Sequence, residues 1–371
     1  MLTTHETWMR LALQLAEAAE GQTSPNPMVG AVVVKDGQIV GAGAHLKAGT
    51  PHAEVHALNM AGDDARGSTL YVTLEPCNHY GRTPPCTGRI IEAGVRRVVV
   101  GCVDPDEKVS GEGIKRLRES GIEVVEGILR EECLRLNEAY FHHRKTKKPF
   151  VTLKMATTLD GKIAAYNGDS RWVTGHESRA HVHQIRKKSD AILVGVGTVL
   201  ADDPQLTARI DGEPVRQPVR IVLDSRLRTP LDAQIVNTQA APTWIFTTPR
   251  CDRSKVDRLI EKGVKVIVTQ SEDRVDIDEV LSYLGQQGIL SLIVEGGSQV
   301  NASFLRCGHV QKVMAYLAPK LLGGKDSKSA IAGENPERMK EAVSLKHTEI
   351  RRFGEDFLLT GYISYEKPAQ G

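Results

Sequence analysis

An α/β protein of two domains is what this sequence predicts, and three observations carry the expectation. The chain has 371 residues; at ~150 residues per domain, and with single cores rarely growing past ~300, that length suits two domains. β-Branched runs alternate with apolar residues at helical spacing, the pattern of layered α/β structure. The alternation breaks at the basic run Arg144-Lys-Thr-Lys-Lys148 before Pro149 and then starts again. Proline stops a helix and lysines favour solvent, so this run reads as a solvated linker between domains at 1–147 and 148–371.

In the first domain a helix is expected over residues 5–20, followed by the turn-rich Ser24-Pro-Asn-Pro27. Strands at 31–34 and 39–45 flank Asp36-Gly37, a hairpin signal. Val55, Leu58 and Ala61 place a helix at 52–61, and residues 70–74 form a strand running into Glu75-Pro76-Cys77. Further helices are expected at 86–93, 113–119 and 131–143, with strands at 98–103 and 122–127. In the second domain strands are expected at 150–156, 191–195, 220–223, 243–247, 264–269, 292–295 and 313–318. Helices fall at 180–188, 254–262, 277–287 and from Ser298 to about Leu305. Residues 348–352 and 357–363 close the chain as an antiparallel pair.

Composition removes several classes of function. Lys and Arg number 48 against 46 Asp and Glu, and a net charge of +2 lacks the basic excess of a dedicated nucleic-acid binder. With 40% hydrophobic and 25% charged residues the chain is not disordered, and nothing in it approaches the ~18 apolar residues that span a bilayer. The N-terminal segment carries acids and no small-residue cleavage site, so a cytoplasmic protein is expected, its six cysteines serving as thiols or metal ligands. The slight basic excess sits in the second half, mildly suited to small anionic molecules.

The strongest chemical signal is His52-Ala-Glu54 followed by Pro76-Cys77 and Pro85-Cys86. One imidazole and two thiolates make a three-ligand zinc set whose fourth tetrahedral position is left for water, the arrangement of a catalytic rather than a structural site. Bound zinc lowers the pKa of its water to about 7. Glu54, two residues past His52, can face the open position without binding the metal, as a proton shuttle must. His-x-Glu with a later Pro-Cys is the general signature of zinc nucleobase deaminases. Cys102, Cys133, Cys251 and Cys307 lack such company and read as packing or surface thiols. In the second half two strand ends break into glycine, Val194-Gly195-Val-Gly197-Thr198 and Val294-Glu295-Gly296-Gly297-Ser298. No Gly-x-Gly-x-x-Gly fingerprint follows a strand. Glycine turns entering helices can cradle a phosphate, but the glycines alone leave ordinary strand-to-helix turns equally open.

Between the two cysteines stands an insertion, Asn78-His-Tyr-Gly-Arg-Thr-Pro-Pro85, in place of the usual two residues. With Thr23-Ser-Pro-Asn-Pro-Met-Val-Gly30 upstream, it resembles the deaminase domain of the bifunctional riboflavin-biosynthesis deaminase/reductase family. The second half resembles that family's reductase domain through Thr157-Thr-Leu-Asp-Gly-Lys-Ile-Ala164, Gly195-Val-Gly-Thr-Val-Leu-Ala-Asp-Asp-Pro-Gln-Leu-Thr207 and Glu295-Gly-Gly-Ser298. The resemblance covers the whole chain. It implies a cytidine-deaminase-like α/β/α zinc domain followed by a dihydrofolate-reductase-like α/β domain. The implied reactions are hydrolytic deamination of a diaminopyrimidinone ribosyl phosphate, then NADPH-dependent reduction of its ribosyl group to ribityl.

By resemblance, one zinc per chain is held by His52, Cys77 and Cys86 with Glu54 catalytic, and Asn26, His45, Asn78 and His79 line the pyrimidine pocket. NADPH is expected against Ala156, Trp172, Thr198, Asp202 and Ser225, its phosphates on Gly297, Ser298, Gln299, Val300, Asn301, Ala302 and Ser303. Lys154, Ser170, Arg186, Leu206, Arg209 and Glu295 would contact the reductase substrate. Arg186 and Arg209 suit a sugar phosphate through bidentate hydrogen bonding. The resemblance further suggests a homo-oligomer. A tRNA- or nucleobase-editing deaminase with an unrelated second domain is disfavoured by the missing basic stripe. A purely structural zinc module would need a fourth protein ligand.

Overall fold

The computed structural model describes residues 4–80, 84–105, 110–212, 214–334 and 336–365. The chain divides into two compact units, Met1–Lys147 and Lys148–Gly371.

In the first unit α1 (Thr4–Glu17) buries Met9, Ala12, Leu13 and Ala16, one stripe at helical spacing, against the sheet. β1 (Gly30–Lys35) and β2 (Gln38–Ala44) form the expected hairpin. Asp36 and Gly37 both adopt positive φ, as a type I′ turn requires. Gly30 lets α1 lie directly on β1, since a Cβ there would stand 1.9 Å from the Ala12 carbonyl oxygen. The unit continues through α2 (Ala53–Ala61), β3 (Thr69–Leu74), α3 (Cys86–Glu92), β4 (Arg97–Cys102), α4 (Glu112–Glu119) and β5 (Glu123–Glu126). The sheet order is β2-β1-β3-β4-β5; β1 is antiparallel to both neighbours and β3, β4 and β5 are parallel.

One expected element is corrected. The single helix at 131–143 is two, α5 (Arg130–Leu136) and α6 (Glu138–Thr146), broken at Asn137. That side chain is buried and clamps the Met28 backbone, accepting from its N–H and donating to its carbonyl, both at 2.8 Å. Asparagine competes well for backbone groups in this way and so interrupts helices.

The second unit comprises β6 (Phe150–Thr158), β7 (Lys162–Ala164), α7 (His176–Lys188), β8 (Ala191–Gly195), α8 (Val196–Asp202), β9 (Val219–Leu223), β10 (Thr243–Thr247), α9 (Arg253–Glu261) and β11 (Lys265–Val268). It continues with α10 (Ile277–Gln286), β12 (Ser291–Val294), α11 (Ser298–Arg306), β13 (Lys312–Ala318), β14 (Lys328–Ser329), β15 (Ser344–Phe353) and β16 (Asp356–Ser364). Nine strands form one sheet, β11-β10-β9-β8-β12-β6-β13-β16-β15. The pairs from β11 through β13 are parallel, and β16 runs antiparallel to both β13 and β15, the expected edge.

Both faces of the parallel part are covered, and this explains the unbroken apolar strands. Along β8, Ala191 and Leu193 enter one core with α10, while Ile192 and Val194 enter another with Leu259 of α9. From β8 the chain moves outward to β11, then returns to insert β12 between β8 and β6. The carboxyl ends of β6, β8 and β12 therefore meet where strand order reverses, the usual place for a ligand crevice in an open α/β sheet.

Candidate active sites

The first site grows from the ends of β3 and the start of α2 and α3. β3 delivers Glu75, whose buried carboxylate accepts from the backbone N–H groups of Gly111, Gly113 and Ile114 at 3.0, 2.9 and 3.2 Å. These amides open α4, where the helix dipole favours an anion. The anchor fixes the Pro76-Cys77 turn that follows. Nothing in the sequence singles out Glu75, because a lone acid after a strand carries no signal of where its partners lie.

His52 caps the N-terminus of α2 and Cys86 opens α3, whose packing against α2 brings the two ends together. His52 Nδ1 lies 3.3 Å from Cys86 Sγ and 3.6 Å from Cys77 Sγ, and the three donor atoms all fall within 4.8 Å of one another. A tetrahedral zinc with Zn–N near 2.0 Å and Zn–S near 2.3 Å sets N and S roughly 3.5 Å apart, so this donor set fits the metal. A hydrogen bond from the Cys86 thiol, aided by His52, pushes Cys77 down to about 4, while the same bond and burial push Cys86 up. Glu54, only 3% exposed, has its carboxyl against the Cys86 thiol, and burial raises its pKa. It thus faces the donor cluster from the first turn of α2.

Asn26 and His45 join this site. Burial lowers the His45 pKa and keeps the ring neutral, so Nδ1–H donates to the Pro51 carbonyl at 3.2 Å and Nε2 accepts from Asn26 Nδ2 at 3.1 Å. The His45 ring stands edge-on to His52, 5.3 Å between centroids. Asn78 is held beside Cys77 by the Thr87 hydroxyl, which donates to its Oδ1 at 2.8 Å. His79 differs, lying exposed on the loop beyond. Gly81, Arg82 and Thr83 of the insertion lie outside the described residues.

The second site is a cleft of about 890 Å³ over the carboxyl ends of β6, β8 and β12. Lys154 and Ala156 of β6, Thr198 and Asp202 of α8, Leu206, Arg209 and Glu295 all line it, as do Ser170, Trp172 and Arg186. Trp172 is 63% exposed and stacks under the Arg179 guanidinium, 4.4 Å from the ring centroid. Ser170 donates to Asp202 Oδ1 at 3.4 Å and Arg171 to the Asp202 carbonyl at 2.8 Å, tying the segment to α8.

The Glu295 side chain, just past the end of β12, is 8% exposed. Burial alone would raise its carboxyl, but Arg186 and Lys154 outweigh that and hold it at about 2. The expectation that Arg186 presents a free fork to a phosphate is corrected: Nε and Nη2 hold Glu295 and Nη1 donates to the Thr207 carbonyl at 3.2 Å. Arg209 is less committed, donating to Gln205 Oε1 at 2.8 Å beside His183.

The glycine strand ends do enter helices. Gly195 leads into α8 and Gly297 caps α11, and Gly297, Ser298, Gln299, Val300 and Asn301 line the cleft. Asn301 donates to the Ala330 carbonyl at 2.9 Å, leaving its buried Oδ1 without a partner among the described residues. A helix N-terminus with no side-chain cap fits a phosphate-bearing cofactor, and the Asn301 Oδ1, an acceptor, suits a hydroxyl or amide donor on it. The run to Ser303 does not act as one cradle. Ala302 packs against Gly333, while Ser303 and Ser225 line a neighbouring cavity of about 400 Å³. A helix presents only its first turn to a ligand at its end, which is why the run divides. Tyr316, hidden in the sequence by an apolar-looking strand, also lines the cleft, and its hydroxyl meets His181 Nδ1 at 2.7 Å.

Fold and sites define a zinc-dependent pyrimidine deaminase joined to a reductase. The profile of the cytidine and deoxycytidylate deaminase zinc-binding region matches residues 2–102, and that of the RibD C-terminal domain matches residues 149–359. The chain is 49% identical to riboflavin biosynthesis protein RibD of Bacillus amyloliquefaciens over 96% of its length and 95% of the relative's. Among solved structures, Acinetobacter baumannii RibD superposes with a TM-score of 0.88 at 38% identity, covering 97% of this chain and 99% of that one. The Thermotoga maritima diaminohydroxyphosphoribosylaminopyrimidine deaminase/5-amino-6-(5-phosphoribosylamino)uracil reductase gives 0.84 at 38% identity over the same shares. The chain belongs to the RibD family of bifunctional riboflavin-biosynthesis enzymes. The family's cofactors are zinc for the deaminase and NADPH for the reductase. Among the described residues no helix is long and apolar enough to cross a membrane.

Proposed function

We propose that the first unit deaminates the phosphorylated diaminopyrimidine with Glu54 as its proton carrier. His52, Cys77 and Cys86 would hold the zinc, which when bound supplies a water acidic enough to attack at neutral pH. Glu54 carries one of that water's two protons to the ring nitrogen and the second to the departing amine, so that water and amino group are exchanged for a ring carbonyl and ammonia. Asn26, held by His45, and Asn78, held by Thr87, orient the ring through their amides; His79 joins them from the exposed loop. The observation that carries this reading is the buried Glu54 carboxyl facing a cluster of three metal donors and no fourth among the described residues.

The second unit reduces the ribosyl group of the deaminated product. NADPH supplies the hydride when bound. Ala156, Trp172, Thr198, Asp202 and the first turn of α11 position the cofactor, and Ser225 and Ser303 meet its far end. Lys154 and Glu295, fixed by Arg186, order the sugar hydroxyls, while Arg209 takes the sugar phosphate, with Ser170 and Leu206 completing the wall. The enzyme is read as cytoplasmic and homo-oligomeric, on the strength of the family likeness. Glu54→Gln is expected to lower ammonia release by about 10²–10⁴ while leaving NADPH oxidation on supplied deaminated intermediate intact. Surviving deamination would sink the mechanism.

A further inference from the structure

Arg220 of β9 is 0% exposed, yet no carboxylate pairs with it among the described residues. Burial lowers its pKa to about 10, which leaves the guanidinium charged at neutral pH. An unpaired charge in the interior works against stability, so the use of this one lies in what it holds. Its fork joins two loops: Nη1 donates to the Gln205 carbonyl at 3.0 Å, and Nη2 to the Asn237 and Ala241 carbonyls at 2.8 and 2.6 Å. The first of these loops, 203–209, needs support. Asp203 and Leu206 adopt positive φ, 40° and 52°, a left-handed conformation that side chains other than glycine resist. Gln234 donates to the Asp203 carbonyl at 2.7 Å, and Gln217 brackets Ala208, accepting from its N–H at 2.8 Å and donating to its carbonyl at 2.9 Å. Between these two points Arg220 fixes Gln205. The Gln205 side chain reaches on into the cleft, where its Oε1 accepts from Arg209 Nη1 at 2.8 Å. Two hydrogen bonds thus lead from the interior of the sheet to a guanidinium in the cleft wall.

We infer that Arg220 is a positioning residue of the reductase, holding Gln205 so that Gln205 aims Arg209 at the phosphate of the substrate. The inference rests on reading Arg209 as that phosphate's partner. Arg209 commits three of its five N–H donors, to Gln205, Thr207 and His183, and the other two remain for a ligand. Without Arg220 the strained loop relaxes and the Arg209 fork turns from the phosphate. Neither the cofactor's helix α11 nor the Arg186–Glu295 pair is touched by Arg220, so the defect falls on affinity for the phosphorylated substrate and not on hydride transfer.

The test follows NADPH oxidation by the full-length, zinc-loaded protein on 5-amino-6-(5-phosphoribosylamino)uracil and on the same compound without its phosphate. Arg220→Met removes the charge and fills the space. It is expected to raise KM for the phosphorylated substrate about tenfold, the loss of one charge-assisted contact, with kcat and KM for NADPH as in the wild type. KM for the dephosphorylated compound should not move, whereas general loosening of the second unit would raise both. In an Arg209→Gln background Arg220→Met should add nothing, because both act through one guanidinium. Gln205→Ala breaks the outer link at an exposed position where folding is not at stake, and should give the same tenfold rise. A folded Arg220→Met enzyme with wild-type KM, or with KM raised alike for both compounds, overturns the inference; if that variant does not fold, a wild-type KM in Gln205→Ala does so. An Arg209→Gln enzyme with wild-type KM overturns the reading of Arg209, and the inference with it.

Discussion

Arg186 holds Glu295 at two points, Nε donating to Oε1 at 2.8 Å and Nη2 to Oε2 at 2.9 Å. Parallel bonds of this kind fix both direction and charge. Lys154 adds a third contact to Oε2 at 3.4 Å. The reductase cleft therefore has in its wall a rigidly aimed carboxylate that is ionised at neutral pH, which suits the proposed ordering of hydroxyl groups rather than the giving up of a proton.

Breaking this pair from one side leaves a buried charge short of its partner. Arg186→Met is expected to destabilise the second unit by about 3–5 kcal/mol, read from urea unfolding, and to abolish reduction. Adding Glu295→Leu should recover most of the stability and none of the activity. A single variant as stable as wild type would show that the pair is not desolvated in solution. The pH dependence has a definite sign. Glu295 titrates at about 2 in the folded chain against an ordinary 4.5, so the stability it contributes is fully present above 4.5 and is lost as pH falls toward 2.

Metal removal should separate the two activities. Hydrophobic packing of the first unit, from Met9 in α1 to Leu117 in α4, does not pass through His52, Cys77 or Cys86. Prolonged chelation, or His52→Ala, is expected to take bound zinc from one per chain to none and to stop ammonia release. The circular dichroism spectrum and NADPH oxidation should persist. Unfolding of the first unit on chelation would instead mark the metal as structural.

His181 makes a second pH-sensitive point, away from the metal. It stacks on Phe353 at 4.3 Å, and burial together with Arg351 and Lys188 pushes it down to about 4. Folding thus favours the neutral ring, with the Tyr316 hydroxyl at Nδ1. A histidine depressed below its ordinary 6.5 contributes stability above that value and loses it as pH falls from 6.5 to 4. Urea midpoints of the second unit should fall across that window, and the fall should be shallower in His181→Asn. Equal slopes in the two proteins would remove His181 from the account.

What the sequence made legible follows from range. The Asp36-Gly37 hairpin, the α1 stripe and the parallel apolar strands depend on neighbours a few residues away, and the structure contains them. The metal donors were legible because their chemistry forces unusual residues into one motif. Features that depend on distant partners were hidden. Asn137 breaks a helix for the sake of Met28, and Glu75 waits on amides from α4. Arg186 read as a phosphate fork only because Glu295 lies on another element of the fold.

The glycine at the head of the cofactor cleft yields the last prediction. Gly296 has no positive φ, so its need for glycine is steric: a Cβ would stand 2.6 Å from both Cβ and Cγ1 of Val300 in the first turn of α11. Val300 is β-branched and cannot swing clear within a helix, where one χ1 rotamer dominates. Gly296→Ala must therefore push the N-terminus of α11 outward, moving the N–H groups proposed to hold the cofactor's pyrophosphate. The expected result is a raised KM for NADPH, by about tenfold for a lost charge-assisted contact, with deamination untouched. Val300→Gly, made in the same chain, removes both Cβ and Cγ1 and gives the new methyl room, so the double variant should regain most of the cofactor affinity. If Gly296→Ala binds NADPH normally, or if Val300→Gly does nothing to rescue it, the close approach of β12 to α11 is not what shapes the site.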